Sequence, residues 1–362
     1  MIYEKLIRPI LFKTDPEKIH NFIIGILGFV SRIKFINSII RKFLAIKNPV
    51  LNVRLGNIAL ENPVGLSAGF DKYFNAPLAY PMLGFGFAEL GSITNAQQPG
   101  NPKPRLWRIP EDKGLIVYYG LANSGAENAL SKMQMLNSHL IPYGISIAPS
   151  NGLGTIEMVE DCARSFLKLH SVADYITLNV SCPNVAGCEM FAQVSFIKDL
   201  LVKIRNLMQE KNISKDVFIK IGPHFKEEEL DQIVDCCVEN KLTGIVISNL
   251  LKKRDGIVFK SASEKLNYPG GISGKILQDK SNKIIRHVYK RAGSKLKIIG
   301  VGGIFNANDA YEKIKAGASA VQMITGFIYG GPLVIRKINS ELAGLLKRDG
   351  FKNVGEAVGV EV

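Results

Sequence analysis

The N-terminal part of the chain alternates apolar and polar positions with the spacing of a helix. Apolar residues recur every three or four positions through 6–11, 19–30 and 35–46, which is the period of a helix with one apolar face. The tetrapeptide Thr14-Asp15-Pro16-Glu17 combines a capping side chain with a proline and so indicates a helix start. The pattern therefore predicts amphipathic helices in an N-terminal segment over residues 1–47.

From residue 50 the pattern changes to short apolar runs that alternate with helical stretches. Runs at 53–55 and 58–60 flank Gly56-Asn57 and predict a hairpin. Eight further β-rich runs follow, at 64–68, 87–93, 143–148, 175–181, 217–221, 244–249, 297–302 and 320–325. Helical patterns lie between and after them, near 75–83, 124–138, 155–171, 195–211, 226–240, 275–291, 306–316 and 331–348.

Eight strand–helix units predict an α/β protein, a (β/α)8 TIM barrel with an N-terminal helical extension. We expect the barrel to occupy residues 48–350 and a C-terminal tail to occupy residues 351–362. A doubly wound sheet is the alternative, which is weakened because no GxGxxG sequence follows the first strand.

Charge narrows the choice of ligand. The 362-residue chain has 46 Lys and Arg against 32 Asp and Glu, a net charge of +14. This excess favours phosphate cofactors, anionic substrates, nucleic acid or acidic lipid headgroups, although a basic solvated surface explains it equally well. The N-terminal segment has nine Lys and Arg and three acidic residues. Its helices either pack on the barrel or, as we favour, lie in a membrane interface.

Membrane spanning and metal binding are both disfavoured. The longest apolar run, residues 22–30, has nine residues, whereas a helix that crosses a bilayer needs about twenty. The five cysteines include no CxxC pair, so we predict no metal site. Since the sequence has no secretory signal, we expect a reducing compartment.

A barrel enzyme has its active site at the carboxyl ends of its strands, and polar residues follow the predicted strands here. Glycine-containing loops at 270–274, 302–303 and 325–326 offer backbone N–H groups ahead of helices, as phosphate sites do. Lys72 and Lys220 would supply positive charge to a reduced cofactor ring or an anionic substrate. Cys182 lies at a predicted strand end within a polar cluster, and it is a candidate base or acid.

Several segments resemble the dihydroorotate dehydrogenase family. They are SAGFDK, GSIT, PGNPKPRLWR, NVSCPN, VFIKIGP, GGISG, IIGVGGI and VQMITGFIYGGP, in the family's order over about residues 3–345. FKTDPEKIH and the N-terminal helices resemble the membrane-associated, quinone-using class 2 enzymes, since class 1 enzymes lack this extension. The resemblance implies oxidation of dihydroorotate to orotate in pyrimidine biosynthesis, with FMN and quinone. It also implies peripheral attachment to the cytoplasmic face of the inner or cell membrane, and no nucleic-acid partner.

The resemblance also implies roles for individual residues. FMN contacts are expected at Ala68, Gly69, Phe70, Asp71, Lys72, Ser92, Ser146, Asn179, Lys220, Ser248, Gly271, Gly303, Ile324 and Thr325. Substrate contacts are expected at Lys72, Val117, Tyr118, Tyr119, Gly120, Leu121, Asn179, Asn184, Asn249 and Leu250. Cys182 is the expected catalytic base, assisted by Lys72, and His20 and Arg108 are expected near a quinone entrance.

Five positions depart from the family pattern, and one of them, Ile324, stands where the family has an aromatic residue near the quinone path. Cys182 is the base of class 1 enzymes, where class 2 enzymes have Ser, so the chain resembles a class 2 frame with a class 1 base. Val117 and Ser146 stand where the family has asparagines, and Leu250 stands where it has Thr or Ser. One alternative hypothesis is therefore a family member that acts on another small cyclic amide or acid.

Two more alternatives lie further from the family. One is a flavin barrel that reduces uridine in RNA, since a net charge of +14 is what binding to the RNA phosphates would require. We see no separate RNA-binding domain after residue 348. The other is a binding protein without catalysis. This alternative is disfavoured because the chain has Cys182, Lys72 and Lys220 together.

Overall fold

The computed structural model describes residues 2–136, 139–181, 184, 193–254, 257–261 and 263–362, without the side chains of Ser263 and Lys265. In chain order the strands are β1 (Val53–Leu55), β2 (Ile58–Leu60), β3 (Val64–Leu66), β4 (Phe87–Ile93), β5 (Leu106–Ile109), β6 (Gly114–Val117), β7 (Tyr143–Ile147), β8 (Tyr175–Asn179), β9 (Asp216–Ile221), β10 (Gly244–Ile247), β11 (Gly271–Gly274), β12 (Lys297–Val301) and β13 (Ala320–Met323). The helices are α1 (Arg8–Phe12), α2 (Pro16–Arg32), α3 (Lys34–Leu44), α4 (Ala79–Met82), α5 (Ala126–Gln134), α6 (Thr155–Leu169), α7 (Val194–Glu210), α8 (Glu227–Glu239), α9 (Ser263–Leu266), α10 (Gln278–Ala292), α11 (Ala307–Lys315), α12 (Thr325–Gly330), α13 (Val334–Arg348) and α14 (Val354–Ala357). A π-helical turn precedes α1, and 3-10 turns lie at Pro49–Leu51, Pro110–Asp112, Lys275–Leu277 and Gly293–Lys295.

Eight parallel strands close into a barrel. Around it they follow the chain in the order β3, β4, β7, β8, β9, β10, β12 and β13, and β13 pairs back onto β3. The strands are apolar on both faces, as Leu66, Ile147 and Ile219 show by their complete burial, which is typical of parallel strands covered by helices. The predicted TIM barrel is therefore confirmed, and the doubly wound alternative is wrong because the sheet has no free edge.

The predicted elements match the observed ones apart from their ends. Each barrel strand lies within about two residues of its predicted range, and β1 and β2 form the predicted hairpin, with Val53 opposite Leu60. The predicted strand 244–249 ends at Ile247, although Ser248 N and Asn249 N still donate to carbonyls of the neighbouring strands, and both residues line the pocket at the barrel mouth. The polar residues at this end of the predicted strand therefore lie just beyond the observed strand.

The N-terminal helices have one covered face and one exposed face. Asp15 caps α2 by accepting a hydrogen bond from Lys18 N at 2.8 Å, as the sequence predicted. On the inner face Ile24 and Gly28 are buried, and a Cβ on Gly28 would lie 2.5 Å from the backbone oxygen of Asn75. The outer faces of α2 and α3 expose bulky apolar side chains, namely Phe22, Phe29, Phe35, Ile39 and Phe43. Packing on the barrel therefore accounts for one face only.

No single helix among the described residues is long and apolar enough to cross a bilayer. The helices α2 and α3 meet the length and composition test only when they are taken together, and this pair is bent by 105°.

A three-stranded antiparallel sheet lies beside the barrel mouth and was not predicted. Its strands are β5, β6 and β11, and Gly271 of β11 pairs with Val117 of β6. The segment 270–274 was expected to be a glycine loop that opens a helix, and this expectation is wrong because four of these residues form β11. Strands of four residues with distant partners leave little periodicity in the sequence, so the pattern did not reveal them.

The C-terminal residues 351–362, expected as a tail, pack on the structure. They contain α14, in which Val354 and Ala357 are completely buried. Glu361 forms ion pairs with Lys315 at 2.5 Å and with Arg286 at 3.3 Å. This segment therefore contributes to the end of the barrel opposite the mouth.

Two glycines of α2 allow the packing of the N-terminal segment to be tested. Gly25→Ala has nothing within 4 Å of the new Cβ, so it should stabilise the protein by up to about 1 kcal/mol through helix propensity. Gly28→Ala places a methyl group against Asn75, so it should destabilise by roughly 1–3 kcal/mol through overpacking. Denaturant unfolding of the two variants measures the difference. Equal effects would show that α2 does not pack closely on the barrel.

Candidate active site

One pocket opens at the carboxyl ends of the barrel strands. It holds about 1260 Å³ of space, part of it open to solvent, and it extends from the barrel axis to α2 and the sheet of β5, β6 and β11. The fold thus places the site where the barrel predicts it.

Most of the predicted site residues line this pocket. The predicted cofactor residues that line it are Ala68, Gly69, Phe70, Lys72, Ser92, Asn179, Lys220, Ser248, Gly303, Ile324 and Thr325. The predicted substrate residues that line it are Lys72, Val117, Tyr119, Gly120, Leu121, Asn179, Asn184, Asn249 and Leu250. The predicted residues that do not line it are Asp71, Ser146, Tyr118, Gly271 and Arg108. Cys182, the expected base, lies outside the described residues, and so does Cys188.

A row of amides and hydroxyls crosses the floor of the pocket. Ser92 and Ser146 share a hydrogen bond of 2.8 Å between their Oγ atoms, and Asn179 Nδ2 donates to Ser92 Oγ at 2.8 Å. Asn249 Nδ2 donates to Asn179 Oδ1 at 3.2 Å and to Ser181 Oγ at 3.0 Å. Ser146 is completely buried and supports Ser92, whereas Ser92, Asn179 and Asn249 line the pocket directly. The row offers hydrogen-bonding groups that are fixed by their neighbours.

Lys220 carries a compensated charge at the barrel axis. Its Nζ donates to Ser67 Oγ at 3.0 Å and lies 3.7 Å from Glu89 Oε1. Glu89 is completely buried, and its other oxygen accepts hydrogen bonds from Thr177 Oγ1 at 2.8 Å and Gln322 Nε2 at 3.1 Å. Burial lowers the pKa of Lys220, and the charge of Glu89 opposes this effect. The carboxylate below the pocket thus favours the charged form of the ammonium that faces it.

Lys72 supplies a second positive charge. Its Nζ donates to the Gly69 carbonyl at 2.8 Å and lies 3.8 Å from the centre of the Tyr119 ring, a cation–π contact. Burial lowers the pKa of Lys72 to about 8, against the charges of Asp71 and Glu17, which raise it. Lys72 is therefore a cation at neutral pH whose charge is easily lost on the alkaline side.

The predicted residues behind the pocket wall support residues that line it. The Asp71 carboxylate accepts hydrogen bonds from the backbone of Asn75 and Ala76, both at 2.9 Å, and so shapes the loop after β3. Gly271 N donates to Asn184 Oδ1 at 3.1 Å. The Tyr118 carbonyl accepts a hydrogen bond from Asn101 Nδ2 at 3.0 Å. A direct ligand contact by Asp71, Tyr118 or Gly271 stays a prediction.

The glycine loop after β12 and the start of α12 together form a part of the pocket that differs from the row of amides and hydroxyls. Gly302 and Gly303 have φ values of +108° and +77°, which favour glycine. A Cβ on Gly303 would lie 2.5 Å from Gln278 Cβ, so the loop lies tightly against α10. Across from it, Ser273 Oγ and Thr325 Oγ1 are 2.8 Å apart. Glycine backbone that lines the pocket and paired hydroxyls suit the oxygens of a phosphate.

The pocket also has polar atoms that lack protein partners. Tyr119 Oη and Gln322 Oε1 are buried in its wall and have no hydrogen-bond partner among the described residues. Buried polar atoms are nearly always hydrogen-bonded, so these two indicate a ligand with polar groups. Among the described residues that line the pocket there is no Asp or Glu, whereas Lys72 and Lys220 are present. The pocket therefore suits an anionic ligand.

The two residues expected near a quinone entrance differ in position. His20 reaches from α2 into the pocket wall, where its ring meets Phe70 edge-on at 5.0 Å between centroids. Burial, together with the charge of Lys72, lowers the pKa of His20 to about 3, so the ring is neutral. Arg108 instead donates to the carbonyls of Phe12 at 3.1 Å and Thr14 at 2.7 Å. Arg108 thus holds the N-terminal segment in place from outside the pocket.

Sequence reasoning missed several polar residues of the site. Gln322 is the one polar residue of β13 and Glu89 is the one charged residue of β4, and this contrast with the apolar neighbours was the available signal. Ser273 was hidden in a segment interpreted as a loop. Among the described residues no group of three or more His, Cys, Asp or Glu is arranged to hold a metal ion.

The chain is similar to known proteins over nearly its whole length. The family model described as dihydroorotate dehydrogenase matches residues 50–346. Curated relatives named dihydroorotate dehydrogenase (quinone) include that of Nostoc punctiforme, 38% identical over 100% of this chain and 98% of the relative, and that of Gloeobacter violaceus, 37% identical over 98% of each. The crystal structure of Eimeria tenella DHODH in complex with ferulenol superposes with a TM-score of 0.85 at 28% identity, covering 96% of both chains. Matches over this length show that the chain belongs to the dihydroorotate dehydrogenase family, class 2.

Proposed function

We propose that this protein oxidises dihydroorotate to orotate with bound FMN and passes the electrons to a quinone, a reaction of pyrimidine biosynthesis. The observation that supports it most directly is the pocket at the barrel mouth. There Lys72, Lys220 and a row of fixed amides meet with no lining carboxylate among the described residues. An anionic ring with amide edges suits such a pocket. Its quinone-dependent relatives favour the same reaction.

The residues present fit an FMN. The hydroxyls of Ser273 and Thr325 and the backbone of Gly303 suit its phosphate, and Lys220 suits the polar edge of its ring system. The unpartnered Gln322 Oε1 offers one more hydrogen-bond acceptor. A bound flavin supplies the two-electron chemistry, since it accepts a hydride equivalent and releases the electrons singly or in pairs.

The residues of the chain would bind the substrate, orient it and move a proton. Lys72 holds the anionic group of the substrate and stabilises charge that develops on the ring. Asn179 and Asn249 hydrogen-bond to its amide edges and fix its orientation. Cys182 is the proposed base, which takes a proton from the carbon next to the ring carbonyl. In the sequence Cys182 directly follows Ser181, which bonds to Asn249.

A second candidate substrate is favoured by two apolar positions. Val117 and Leu250 both line the pocket where the family is expected to have polar side chains. Leaving a polar edge of a buried ligand unpaired costs roughly 1–3 kcal/mol. A family member acting on a less polar cyclic amide or acid is therefore the alternative.

We also propose that the N-terminal helices bind a membrane surface on the cytoplasmic side, where a quinone is available. The side chains of Phe22, Phe29, Phe35 and Phe43 are each more than half exposed and form apolar surface, and basic residues flank it. Such a combination is typical of helices that lie in the interface of a bilayer. The position of His20 between α2 and the pocket is consistent with entry of the acceptor there.

The proposed reaction is tested by stopped-flow reduction of the flavin. Dihydroorotate should bleach the yellow wild-type protein without any acceptor, and the released cofactor should be FMN. Cys182→Ala should slow this step by roughly 10²–10⁴-fold, the usual contribution of a general base. A Cys182→Ser control should retain part of the rate and need a higher pH, because a hydroxyl ionises less readily than a thiol.

Other outcomes of that experiment separate the candidates. If wild type is bleached slowly and Val117→Asn with Leu250→Thr accelerates it, the altered-substrate candidate is supported. Unchanged reduction in Cys182→Ala would remove this residue as the base. Colourless protein that does not take up FMN would contradict the whole proposal.

Lys72 predicts how the affinity for the product orotate depends on pH. Because the pKa of Lys72 is about 8, the ammonium is charged below this pH and neutral above it. Orotate should bind with a constant Kd up to about pH 7, and each further pH unit above the pKa should weaken binding up to about tenfold. Titration of the flavin absorbance between pH 6 and pH 9 would be a suitable measurement, with Lys72→Met as the control, which should bind weakly at every pH. A wild-type Kd that is flat across this range would show that Lys72 does not hold the anion.

Membrane binding is tested by sedimentation with vesicles of neutral and anionic lipid. Phe29→Ser with Phe35→Ser removes two side chains that are 69% and 75% exposed, so folding should persist. Binding should fall at least about tenfold, since each buried phenylalanine contributes on the order of 1.5–3 kcal/mol. Ile156→Ser, at an 82% exposed position on α6, is the matched control and should bind as wild type does. Equal loss in both variants would argue that the N-terminal helices are not the binding surface.

A further inference from the structure

A buried ion pair joins the N-terminal helices to the barrel. Glu17 of α2 accepts hydrogen bonds from Arg105 Nη2 at 2.9 Å and from Arg105 Nε at 3.2 Å to each carboxylate oxygen. The two side chains are 10% and 8% exposed. Burial opposes the charge of Arg105, yet the hydrogen bonds and charge of Glu17 raise its pKa above the ordinary value. Among the described residues this pair is a strong and specific link between α2 and the segment ahead of β5.

The remaining donors of Arg105 hold the loop at residues 99–101. Arg105 Nη1 donates to the carbonyls of Pro99 at 2.9 Å and Asn101 at 3.1 Å. Gly100 lies between them, and a Cβ there would be 2.3 Å from the Tyr119 carbonyl and 2.7 Å from Arg105 Nη1. The loop is therefore wrapped tightly around the guanidinium, and its position depends on that of Arg105.

The same loop supports the substrate side of the pocket. Asn101 N donates to the Tyr119 carbonyl at 2.9 Å, and Asn101 Nδ2 donates to the carbonyls of Tyr118 at 3.0 Å and Asn184 at 2.9 Å. Tyr119 and Asn184 line the pocket. The Tyr119 ring also lies between two cations, 4.9 Å from Arg105 Cζ and 3.8 Å from Lys72 Nζ. Contacts thus run without a break from α2 to two residues that face the ligand.

We propose that Glu17 and Arg105 are positioning residues for this side of the pocket, so that the docking of α2 sets the affinity of the pocket for its anionic ring substrate. The substrate named here rests on the proposed function. Neither residue touches the ligand, and both act through Asn101 on Tyr119 and Asn184. Loss of one partner leaves a buried charge without compensation, and the loop that surrounds the guanidinium is the part that moves.

The chain offers a matched control in Lys103. Its Nζ lies 3.5 Å from the same Glu17 carboxylate, but its side chain is 66% exposed, so the contact is worth little. Glu17→Gln keeps the shape of the side chain and removes its negative charge. Lys103→Gln removes the positive charge of the exposed lysine that also contacts Glu17. Asn101→Ser leaves the ion pair in place and removes the bonds to Tyr118 and Asn184.

The first measurement is hydrogen exchange of the backbone amides, which does not depend on the substrate. In Glu17→Gln, exchange at residues 100–101 and 117–121 should rise about tenfold, the effect of losing a hydrogen bond to a charged group, while the barrel strands keep wild-type exchange. Lys103→Gln should leave all of these segments unchanged. Wild-type exchange at 117–121 in Glu17→Gln would overturn the inference, as would an increase spread evenly over the barrel.

The second measurement is steady-state kinetics with dihydroorotate. The KM for dihydroorotate should rise about tenfold in Glu17→Gln and in Asn101→Ser, with kcat little changed, and the double variant should show no further increase because both act on one chain of contacts. Asn101→Ser supplies the test if Glu17→Gln does not fold. An unchanged KM in a folded variant overturns the inference about Glu17 and Arg105. If the wild type does not oxidise dihydroorotate, the proposed function is contradicted, and the hydrogen-exchange measurement alone then tests the positioning role.

Discussion

Closure of the parallel barrel forces the carboxyl ends of eight strands to meet around one mouth. Residues far apart in the chain are neighbours there for that reason, such as Ser92 near the end of β4, Asn179 on β8 and Asn249 after β10. Their side chains then hydrogen-bond to one another, which fixes the orientation of each before a ligand arrives. The site is thus a consequence of closure, and local loop structure adds only its details.

Charge is distributed around this mouth with a consistent sign. Lys220 has its carboxylate partner Glu89 below it, inside the barrel, and Lys72 has Asp71 and Glu17 behind it. Each negative charge thus lies away from the cavity, and the positive charges face it. Since a buried charge without a partner is costly, this arrangement keeps two buried ammonium groups charged and presents them to an anion.

Periodicity in the sequence revealed the elements whose stability is local or that face one core. The barrel strands, the hairpin and the start of α2 at Pro16 were all predictable, because each leaves a repeat or a capping motif within a few residues. The sheet of β5, β6 and β11 was not predictable, since its strands are short and β11 lies some 150 residues from β6. The pairing of Glu17 with Arg105 was hidden for the same reason, as 88 residues separate them. Most residues that the resemblance to a family assigned to the site line the pocket, but the resemblance did not distinguish them from residues behind its wall such as Asp71 and Gly271.

The two faces of α2 have a consequence for how the sequence can vary. On the inner face, Gly28 has backbone within 2.5 Å of a built Cβ, so the fold itself restricts which residues are tolerated. On the outer face, Phe22 and Phe29 are mostly exposed, so we expect substitutions there to preserve folding. We therefore expect substitutions at the inner positions to be limited by packing on the barrel. Substitutions at the outer positions should be limited by the environment that the exposed face contacts. A library of α2 variants, sorted first for folding and then for function, would separate these two constraints at each position.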